Sequence, residues 1–169
     1  MKKIVLLVFA LGAGLLAFSQ KYAIIDTRYI LDKMPDYKEA QKQLDDVAAG
    51  WQKDIDGKQV ELDNMYKNYE AEQVMLSDEL KKKREDQLFN KEKELRDLQR
   101  KRFGFEGDLF KKRQELIKPI QDKVYNAVQK LAVVRGYDFV LDKSEGITII
   151  FADPKLDKSE DVLKELGIK

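Results

Sequence analysis

The feature that most constrains this chain is a narrow apolar stripe within a strongly charged stretch. Apolar residues recur there in alternating steps of three and four and continue after one skipped step: Tyr37, Ala40, Leu44, Val47, Trp51, Ile55, Leu62, Met65 and Tyr69. This spacing lies along one side of an α-helix and is typical of a helix that pairs with another helix. It predicts one helix of roughly 38 residues, opened by Asp36 and Glu39 as a capping box, whereas the mean helix has about 11–12 residues. Such a chain cannot wrap its whole length around one compact core.

A second long helix is predicted to return from the first. Ser77 is a good N-cap, and Asp78 and Glu79 suit the positive end of a helix. Two apolar stripes follow, of which the later one is wider: Leu88, Leu95, Leu98, Phe105, Leu109 and Leu116; then Phe103, Phe110, Ile117, Ile120, Val124, Ala127, Leu131 and Val134. Gly136 is expected to end this helix, and Pro119 is expected to kink it or to mark its entry into another part of the fold.

The charges favour pairing of the two helices. Residues 36–80 hold 5 positive and 12 negative side chains, whereas residues 81–118 hold 14 positive and 8 negative ones. An acidic helix followed by a basic helix predicts an antiparallel hairpin, because like-with-like association would be repulsive. At about 1.5 Å per residue, the hairpin would be roughly 55–60 Å long. The alternative is two solvated helices that do not pair, which narrow apolar stripes make unstable in water.

The two ends of the chain change to strand-like patterns. Residues 22–26 predict a buried strand, and Thr27 is expected to cap a short helix that Pro35 ends. After Gly136, residues 137–142 and 147–152 predict a β-hairpin joined by residues 143–146. Asp157 and Glu160 predict a capping box before a final short helix.

The predicted fold class is α+β, mainly helical, with a small β-rich oligomerisation body and a long projecting antiparallel α-helical hairpin. We expect the body to comprise residues 20–35 and 119–169, and the hairpin arm to comprise residues 36–118, with its tip near 74–78. A body of about 65 residues with short strands is marginal as an independent core. Oligomerisation through the body would bury its strand edges and enlarge its core.

Residues 1–19 predict a cleaved secretory signal peptide. Lys2 and Lys3 precede an apolar run over residues 4–18, which is shorter than the about 20 residues needed to span a bilayer. Small residues at Ala17 and Ser19 predict cleavage near Ser19/Gln20 and hence a periplasmic protein. The alternative is an uncleaved membrane anchor. Without Lys2 and Lys3 the chain carries 30 basic and 31 acidic side chains, a net charge of −1.

The composition lacks two of the residue types that most often serve as catalytic groups in enzymes. The chain has no His and no Cys, so thiol nucleophiles, zinc–sulfur sites and imidazole acid–base groups are excluded. An enzyme would need carboxylates such as Asp26, Asp138, Asp142 and Asp153 to converge, but such residues are more often turn and cap formers. We therefore predict no enzymatic activity, no cofactor and no metal. Acidic residues interleave with the basic ones, so nucleic acid is not an expected partner.

The order of these segments resembles the OmpH/Skp family of periplasmic chaperones. The resemblance rests on the signal peptide, the charged helical hairpin and four motifs: Tyr22-Ala-Ile-Ile-Asp26, Phe103-Gly-Phe-Glu-Gly107 through Leu116-Ile-Lys-Pro-Ile120, Gly136-Tyr-Asp-Phe-Val-Leu-Asp142 and Ala152-Asp-Pro-Lys-Leu-Asp157. It implies a homotrimer whose helical arms surround a cavity. Unfolded outer-membrane β-barrel proteins would be held there without ATP, before their insertion into the membrane. The family's contacts with lipopolysaccharide and phospholipid imply at most weak contact with the membrane surface here, because well-known members are strongly basic and this chain is not.

Candidate client-binding residues lie at the predicted tip and on both sides of it. They are two aromatic residues, two apolar residues and a basic run: Tyr66, Tyr69, Met75, Leu76, Lys81, Lys82, Lys83 and Arg84. Adaptable apolar surface at a tip suits unfolded chains. The basic run is either a solvated helix face or an electrostatic client patch, and Phe103, Phe105 and Phe110 are expected to pack in the seam of the hairpin.

A hinge is predicted where glycines face each other across the hairpin. Gly50 and Gly104 would be nearly level, with Gly107 close by, and glycine weakens a helix interior by about 1 kcal/mol. Bending there would widen the cavity for larger clients. The alternative is that glycine makes room for Trp51 or Phe103.

An alternative function for the whole protein is that of a structural or adaptor hairpin of the cell envelope, which would bind one folded partner at its tip.

Overall fold

The computed structural model describes residues 20–168 except 145, 147 and 148. The elements follow in the order β1 (Tyr22–Ile25), α1 (Thr27–Lys33), α2 (Pro35–Glu72), α3 (Asp78–Phe103), α4 (Asp108–Arg135), β2 (Phe139–Asp142), a 3-10 turn (Pro154–Leu156) and α5 (Ser159–Glu165). The predicted fold class is confirmed, since the chain is mainly helical with a small strand pair and a long helical hairpin. The predicted signal peptide lies outside the described residues. Within the described residues, none of the helices has the length and apolar character needed to cross a bilayer.

The chain forms two compact units. One, here called the arm, is Met34–Lys123, and the other, here called the body, is formed by residues 20–33 and 124–168. The helix α4 contributes residues to both units.

The first long helix of the arm begins two residues earlier than the capping box predicted. Pro35 is the first helical residue of α2, and the N-cap Met34 makes no side-chain hydrogen bond. Proline suits this position because its fixed φ is already helical and its missing N–H would have no partner there. The predicted capping box of Asp36 and Glu39 is therefore wrong. The Asp36 carboxylate instead accepts a hydrogen bond from Lys123 Nζ at 2.8 Å.

The helices α2 and α3 pair in antiparallel fashion, as predicted. Trp51, in the middle of α2, contacts Phe103 at the end of α3, and Tyr69 near the end of α2 bonds Glu85 near the start of α3. A buried cluster of four aliphatic side chains holds the pair together: Ile55, Leu62, Leu88 and Leu95. Each contributes about 1.5–3 kcal/mol of burial free energy, which offsets the low intrinsic stability of two charged helices.

The return path breaks at a place that the apolar pattern did not predict. The helix α3 ends at Phe103, residues 104–107 form a turn, and α4 begins at Asp108. By contrast, α4 runs through Pro119 without ending there. The helix ends at Arg135, and Gly136 follows with a φ of +66°, as the glycine C-terminal signal predicts.

The body contains a two-stranded parallel sheet. Tyr22 is paired with Phe139 and Ile25 with Asp142, so the two ends of the chain meet as predicted. Ile24, Ile30, Val162 and Leu163 are buried, and the α1 and α5 helices pack together.

The predicted second strand over residues 147–152 is wrong for its described part. Residues 149–152 form no strand, and Ile150 and Phe151 are almost fully exposed; residues 147 and 148 lie outside the described residues. Contacts to β1 and to Asp142 fix the residues directly after β2. Ser144 N donates to Asp142 Oδ1 at 2.9 Å, and Lys143 N donates to Ile25 O at 2.8 Å. The side chain of Asp142 thus forms a turn with Ser144 at the end of the strand.

One further cap prediction is wrong, and another is confirmed in part. Asp26 Oδ1, not Thr27, accepts the N–H of Tyr29 at the start of α1, and Asp exceeds Thr as an N-cap. At α5 the predicted side chain of Asp157 does accept a backbone N–H, that of Ser159, at 2.9 Å. The Glu160 carboxylate accepts from the Tyr29 hydroxyl instead of completing the capping box.

Candidate functional site

The tip of the arm presents apolar side chains to solvent. The helix α2 ends at Glu72, and Ser77 caps α3 by accepting the N–H of Leu80 at 3.4 Å, as predicted. Between them Val74 and Met75 are 84% and 79% exposed, whereas Leu76 is half-buried. Surface apolar residues of this kind, side by side on a turn, offer a flexible contact for other chains.

The two candidate tyrosines have partners within the arm. The hydroxyl of Tyr69 donates to Glu85 Oε1 at 2.5 Å, and its ring packs against the buried cluster of the hairpin. This hydrogen bond, followed by slight burial and the negative charge of Glu85, raises the pKa of Tyr69 above its ordinary value. The Tyr66 hydroxyl lies 3.5 Å from Glu92 Oε2, and the residue is 38% exposed. Tyr69 is thus part of the seam, and Tyr66 is the tyrosine whose ring is more accessible.

The basic run after the tip stays accessible. Lys82 and Lys83 are exposed, and Lys81 lies 3.9 Å from Asp78 with its side chain partly covered. Arg84 Nη2 is 4.0 Å from Glu72 Oε2. Ion pairs this long and this exposed contribute little to stability, so these cations can be attracted to another molecule.

A shallow groove runs between α2 and α3 above the buried cluster. Its volume is about 240 Å³, and its apolar lining includes Leu62, Met65, Leu95 and Leu98. Lys58, Glu61, Lys91 and Glu94 also line it. The groove offers apolar surface on the side of the arm, but its mixed charges favour no particular ligand.

The break in the return path is an ordered turn, here called the knuckle, of residues 104–107. Gly104 N donates to Arg100 O at 2.8 Å, and Gly107 N donates to Gly104 O at 2.9 Å. Glu106 has a φ of +53°, a left-handed conformation that costs a residue with a side chain about 1 kcal/mol. Phe105, between them, is 97% exposed. The prediction that Phe105 packs in the seam is therefore wrong, because the turn rotates it out of the helical stripe.

Arg102 holds the two sides of the knuckle together. Its Nη1 donates to Asp108 Oδ2 at 2.7 Å across the turn, and its guanidinium carbon lies 4.6 Å from the ring centre of Trp51 on α2. The rings of Trp51 and Phe103 meet edge to face at 6.4 Å. Arg102 and Asp108 are not among the residues predicted from the sequence. The signal that could have found them is a Gly-Phe-Glu-Gly run inside an otherwise helical pattern.

The three candidate hinge glycines lie in different surroundings. A Cβ on Gly104 would lie 2.3 Å from Arg100 O, and one on Gly107 would lie 2.8 Å from Lys101 O. These two glycines make room for the backbone of the knuckle, rather than for Trp51 or Phe103 as the alternative had it. Gly50, in the interior of α2, has open space around it. Bending of the arm at this height stays a prediction.

The carboxylates of the body act as turn and helix-end acceptors. Asp138 accepts from Lys21 N, Asp153 from Lys155 N, and Asp142 from Thr27 and Ser144. Partial burial raises the pKa of Asp142, but the hydrogen bonds from Thr27 and Ser144 outweigh burial and hold this pKa below its ordinary value. Within the described ranges, no three acidic residues come together as a metal site.

Comparisons with known proteins agree with this architecture. Residues 21–166 match the family described as "Outer membrane protein (OmpH-like)". The chain is 25% identical over 157 residues to the "Chaperone protein Skp" of Yersinia enterocolitica, covering 93% of this chain and 92% of that protein. Its fold is similar to that of a putative OmpH-like outer membrane chaperone from Caulobacter crescentus, with a TM-score of 0.70, 14% identity, and coverage of 88% of this chain and 84% of that one.

The family match covers most of the chain, including the arm and both strands of the body. The resemblance drawn from the order of the sequence motifs is confirmed by it. The chain belongs to the OmpH-like family.

Proposed function

We propose that this protein is an ATP-independent periplasmic holdase chaperone for unfolded outer-membrane β-barrel proteins. Similarity to a protein named as the chaperone Skp supports the general role. The observation that carries the proposal is the arm itself, a stable two-helix hairpin whose apolar tip, Val74 and Met75, is left open to solvent. The arm has a core of its own, so the exposed tip is available without unfolding.

The proposed client contact is diffuse. Tyr66, Met75 and Leu76 supply apolar surface at and near the tip, and the basic run over residues 81–84 supplies charge. Flexible apolar side chains suit clients that share composition but not sequence. No catalytic step is part of the proposal, and it requires no nucleotide, metal or cofactor.

The proposed assembly is a homotrimer formed through the body, with arms that surround the client. Large apolar side chains on the surface of the body support self-association: Tyr125, Val133, Val134, Ile150 and Phe151. A soluble monomer rarely leaves this much apolar side chain in water. Association would also cover the free edge of the sheet, which has two strands among the described residues.

The test is native mass spectrometry of residues 20–169, before and after a urea-unfolded outer-membrane β-barrel is diluted into the sample. We expect a trimer that captures one unfolded barrel, keeps it from aggregating, and ignores the same barrel once it is folded. A monomer, or an oligomer that lets the barrel aggregate, would overturn the proposal and favour the adaptor hairpin that binds one folded envelope partner.

A further inference from the structure

The knuckle displays an aromatic side chain in a way that no other part of the arm does among the described residues. Phe105 is 97% exposed, whereas the other three phenylalanines of the arm, Phe89, Phe103 and Phe110, range from 38% to 59%. The backbone that carries it is fixed by hydrogen bonds on both sides of Phe105, from Gly104 N and Gly107 N. Phe105 is therefore held out into solvent by an ordered turn and is not at a frayed end.

The surroundings hold this turn in an unfavourable backbone conformation. Glu106 is left-handed, and neither Gly104 nor Gly107 has space for a Cβ. The Arg102–Asp108 ion pair closes the turn, and Trp51 stacks under Arg102. Backbone strain of this kind persists only where the surrounding structure enforces it, and it is concentrated at functional sites. The combination of enforced strain and a displayed aromatic ring indicates a binding element.

The charge of the knuckle and of the helix ends on either side of it favours an acidic ligand. Residues 100–113 hold six basic side chains and two acidic ones. Of the acidic pair, Asp108 is bonded to Arg102. Four of the cations are exposed, and in the described part of the chain no carboxylate is in ion-pair contact with them: Arg100, Lys101, Lys111 and Arg113. Phe105 is flanked in the sequence by these four cations and by one exposed carboxylate, Glu106, and this excess of positive charge is complementary to an acidic partner that also carries apolar side chains.

We propose that the knuckle is a binding site for acidic, aromatic-containing extended polypeptide segments. Phe105 is its apolar anchor, and Arg100, Lys101, Lys111 and Arg113 supply its charge. The inference rests on the proposed holdase function, and it adds a defined contact part-way along the arm to the diffuse contacts near the tip. An extended segment leaves its side chains free to pack on Phe105 while its carboxylates meet the basic side chains.

The test uses the only tryptophan of the chain as a reporter. Trp51 lies under Arg102 and against Phe103, next to the knuckle. Residues 20–169 are titrated with short tryptophan-free peptides that contain Phe and Asp, and binding is followed by Trp51 emission and by anisotropy of a label on the peptide. The comparison peptide has every Asp replaced by Lys. Phe105→Ser is the test variant, and Phe89→Ser, at another exposed phenylalanine of the arm, is its matched control.

We expect the acidic peptide to bind and to shift Trp51 emission, and the lysine peptide to bind at least about tenfold more weakly. Phe105→Ser should weaken binding of the acidic peptide about tenfold, and Phe89→Ser less than about twofold. Because Phe105 contacts solvent, the variant keeps its helical circular dichroism. Equal binding by Phe105→Ser and wild type, equal binding of both peptides, or no binding by wild type would each overturn the site.

The same variants are run in the barrel aggregation assay, so that the two proposals fail separately. If wild type and Phe105→Ser both suppress aggregation while neither prefers the acidic peptide, the knuckle site is wrong and the holdase stands. If the wild type binds the acidic peptide through Phe105 but suppresses no aggregation, the holdase is wrong and the peptide site stands.

Discussion

The guanidinium carbon of Arg102 lies 4.6 Å from the ring centre of Trp51, which joins the end of α3 to the middle of α2. The same guanidinium donates to Asp108 across the knuckle at 2.7 Å, with both side chains largely covered. One arginine therefore bonds three segments of the arm. Its planar group can stack on a ring while its edge donates to a carboxylate, which a lysine ammonium cannot do equally well.

Removal of this group should destabilise the arm. Arg102→Met keeps the length of the side chain but loses both the stacking and the ion pair, and we expect it to lower the free energy of unfolding by about 1–2 kcal/mol. Urea unfolding followed by circular dichroism and by Trp51 emission measures this loss. The matched control is Arg100→Met, because Arg100 is exposed two residues earlier on the same helix. Similar losses at the two positions would mean that neither the Trp51 contact nor the Asp108 ion pair stabilises the arm.

Substitution of alanine for glycine should have opposite effects at Gly50 and Gly104. A Cβ at Gly104 meets the backbone oxygen of Arg100 at 2.3 Å, so Gly104→Ala must shift the knuckle and destabilise the arm. Gly50 lies in open space inside α2, so Gly50→Ala should stabilise it by about 0.5–1 kcal/mol. Thermal unfolding of the two variants shows which substitution raises the stability of the arm and which lowers it.

Gly50→Ala alone is also the clean test of the predicted hinge. It removes the flexible glycine of α2 and leaves the knuckle undisturbed. A double substitution at Gly50 and Gly104 would also disturb the knuckle. Spin labels at the tips of the arms should then report a narrower spread of distances. An unchanged spread would mean that the arm does not bend at Gly50.

The parts of the fold that depend on local pattern could be predicted from the sequence. The three- and four-residue spacing around Leu44, Leu62 and Leu95 predicts both long helices, because burial of one narrow stripe depends only on period. Ser77 begins α3 and Gly136 ends α4, as predicted, because each acts on its immediate neighbours.

The parts that depend on distant partners could not be predicted. The backbone after β2 is held by a hydrogen bond from Lys143 N to Ile25 O, and these residues are far apart in the sequence. The knuckle requires Trp51 under Arg102, a contact between two helices. Phe105 has the spacing of a seam residue and becomes exposed only because two glycines interrupt the helix. Of the candidate client residues, Met75 is exposed, whereas Tyr69 is bound within the hairpin.

The apolar surface of the body should determine the oligomeric state. Phe151→Asp places a charge on a side chain that is almost fully exposed in the single chain, so it leaves the fold intact but opposes burial against a second copy. We expect native mass spectrometry to show a shift from the trimer towards monomer. Val60→Asp, at an exposed apolar position of the arm, is the control and should leave the mass unchanged. A trimer that survives Phe151→Asp would exclude Phe151 from the interface.

The apolar tip should matter for client capture and not for stability. Val74 and Met75 make little contact with the rest of the arm, so Val74→Ser with Met75→Ser should change the free energy of unfolding by less than about 0.5 kcal/mol. The pair should nevertheless slow the capture of an unfolded barrel, measured by light scattering during dilution from urea. Val60→Ser removes an exposed valine from α2 away from the tip and serves as the control. Equal losses of capture at Val60 and at the tip would indicate that capture depends on the total exposed apolar surface and not on the tip.

The hydrogen bonds from Thr27 to Asp142 should make the body sensitive to acid. The Thr27 hydroxyl donates to Asp142 Oδ2 at 2.5 Å, and Thr27 N donates to Oδ1 at 3.2 Å. Burial raises the pKa of Asp142, but these bonds and those from Ser144 hold the pKa below its ordinary value. A carboxyl whose pKa is depressed by folding stabilises the fold above its unfolded pKa, near about 4, and this contribution is lost as pH falls through the folded pKa.

Thr27→Val removes the hydroxyl and keeps the shape of the side chain. At pH 7 we expect a loss of about 1–2 kcal/mol, because a hydrogen bond to an ionised carboxylate disappears. The difference from wild type should shrink as pH falls below about 4, since Asp142 becomes protonated in both proteins and no longer accepts as a carboxylate. Urea unfolding at a series of pH values, with Thr27→Ser as the control that keeps a hydroxyl, measures this dependence. If the difference between Thr27→Val and wild type stays constant down to low pH, the Thr27 hydroxyl stabilises the body through its contact with the Ser144 hydroxyl at 2.8 Å, and the charge of Asp142 has no part in it.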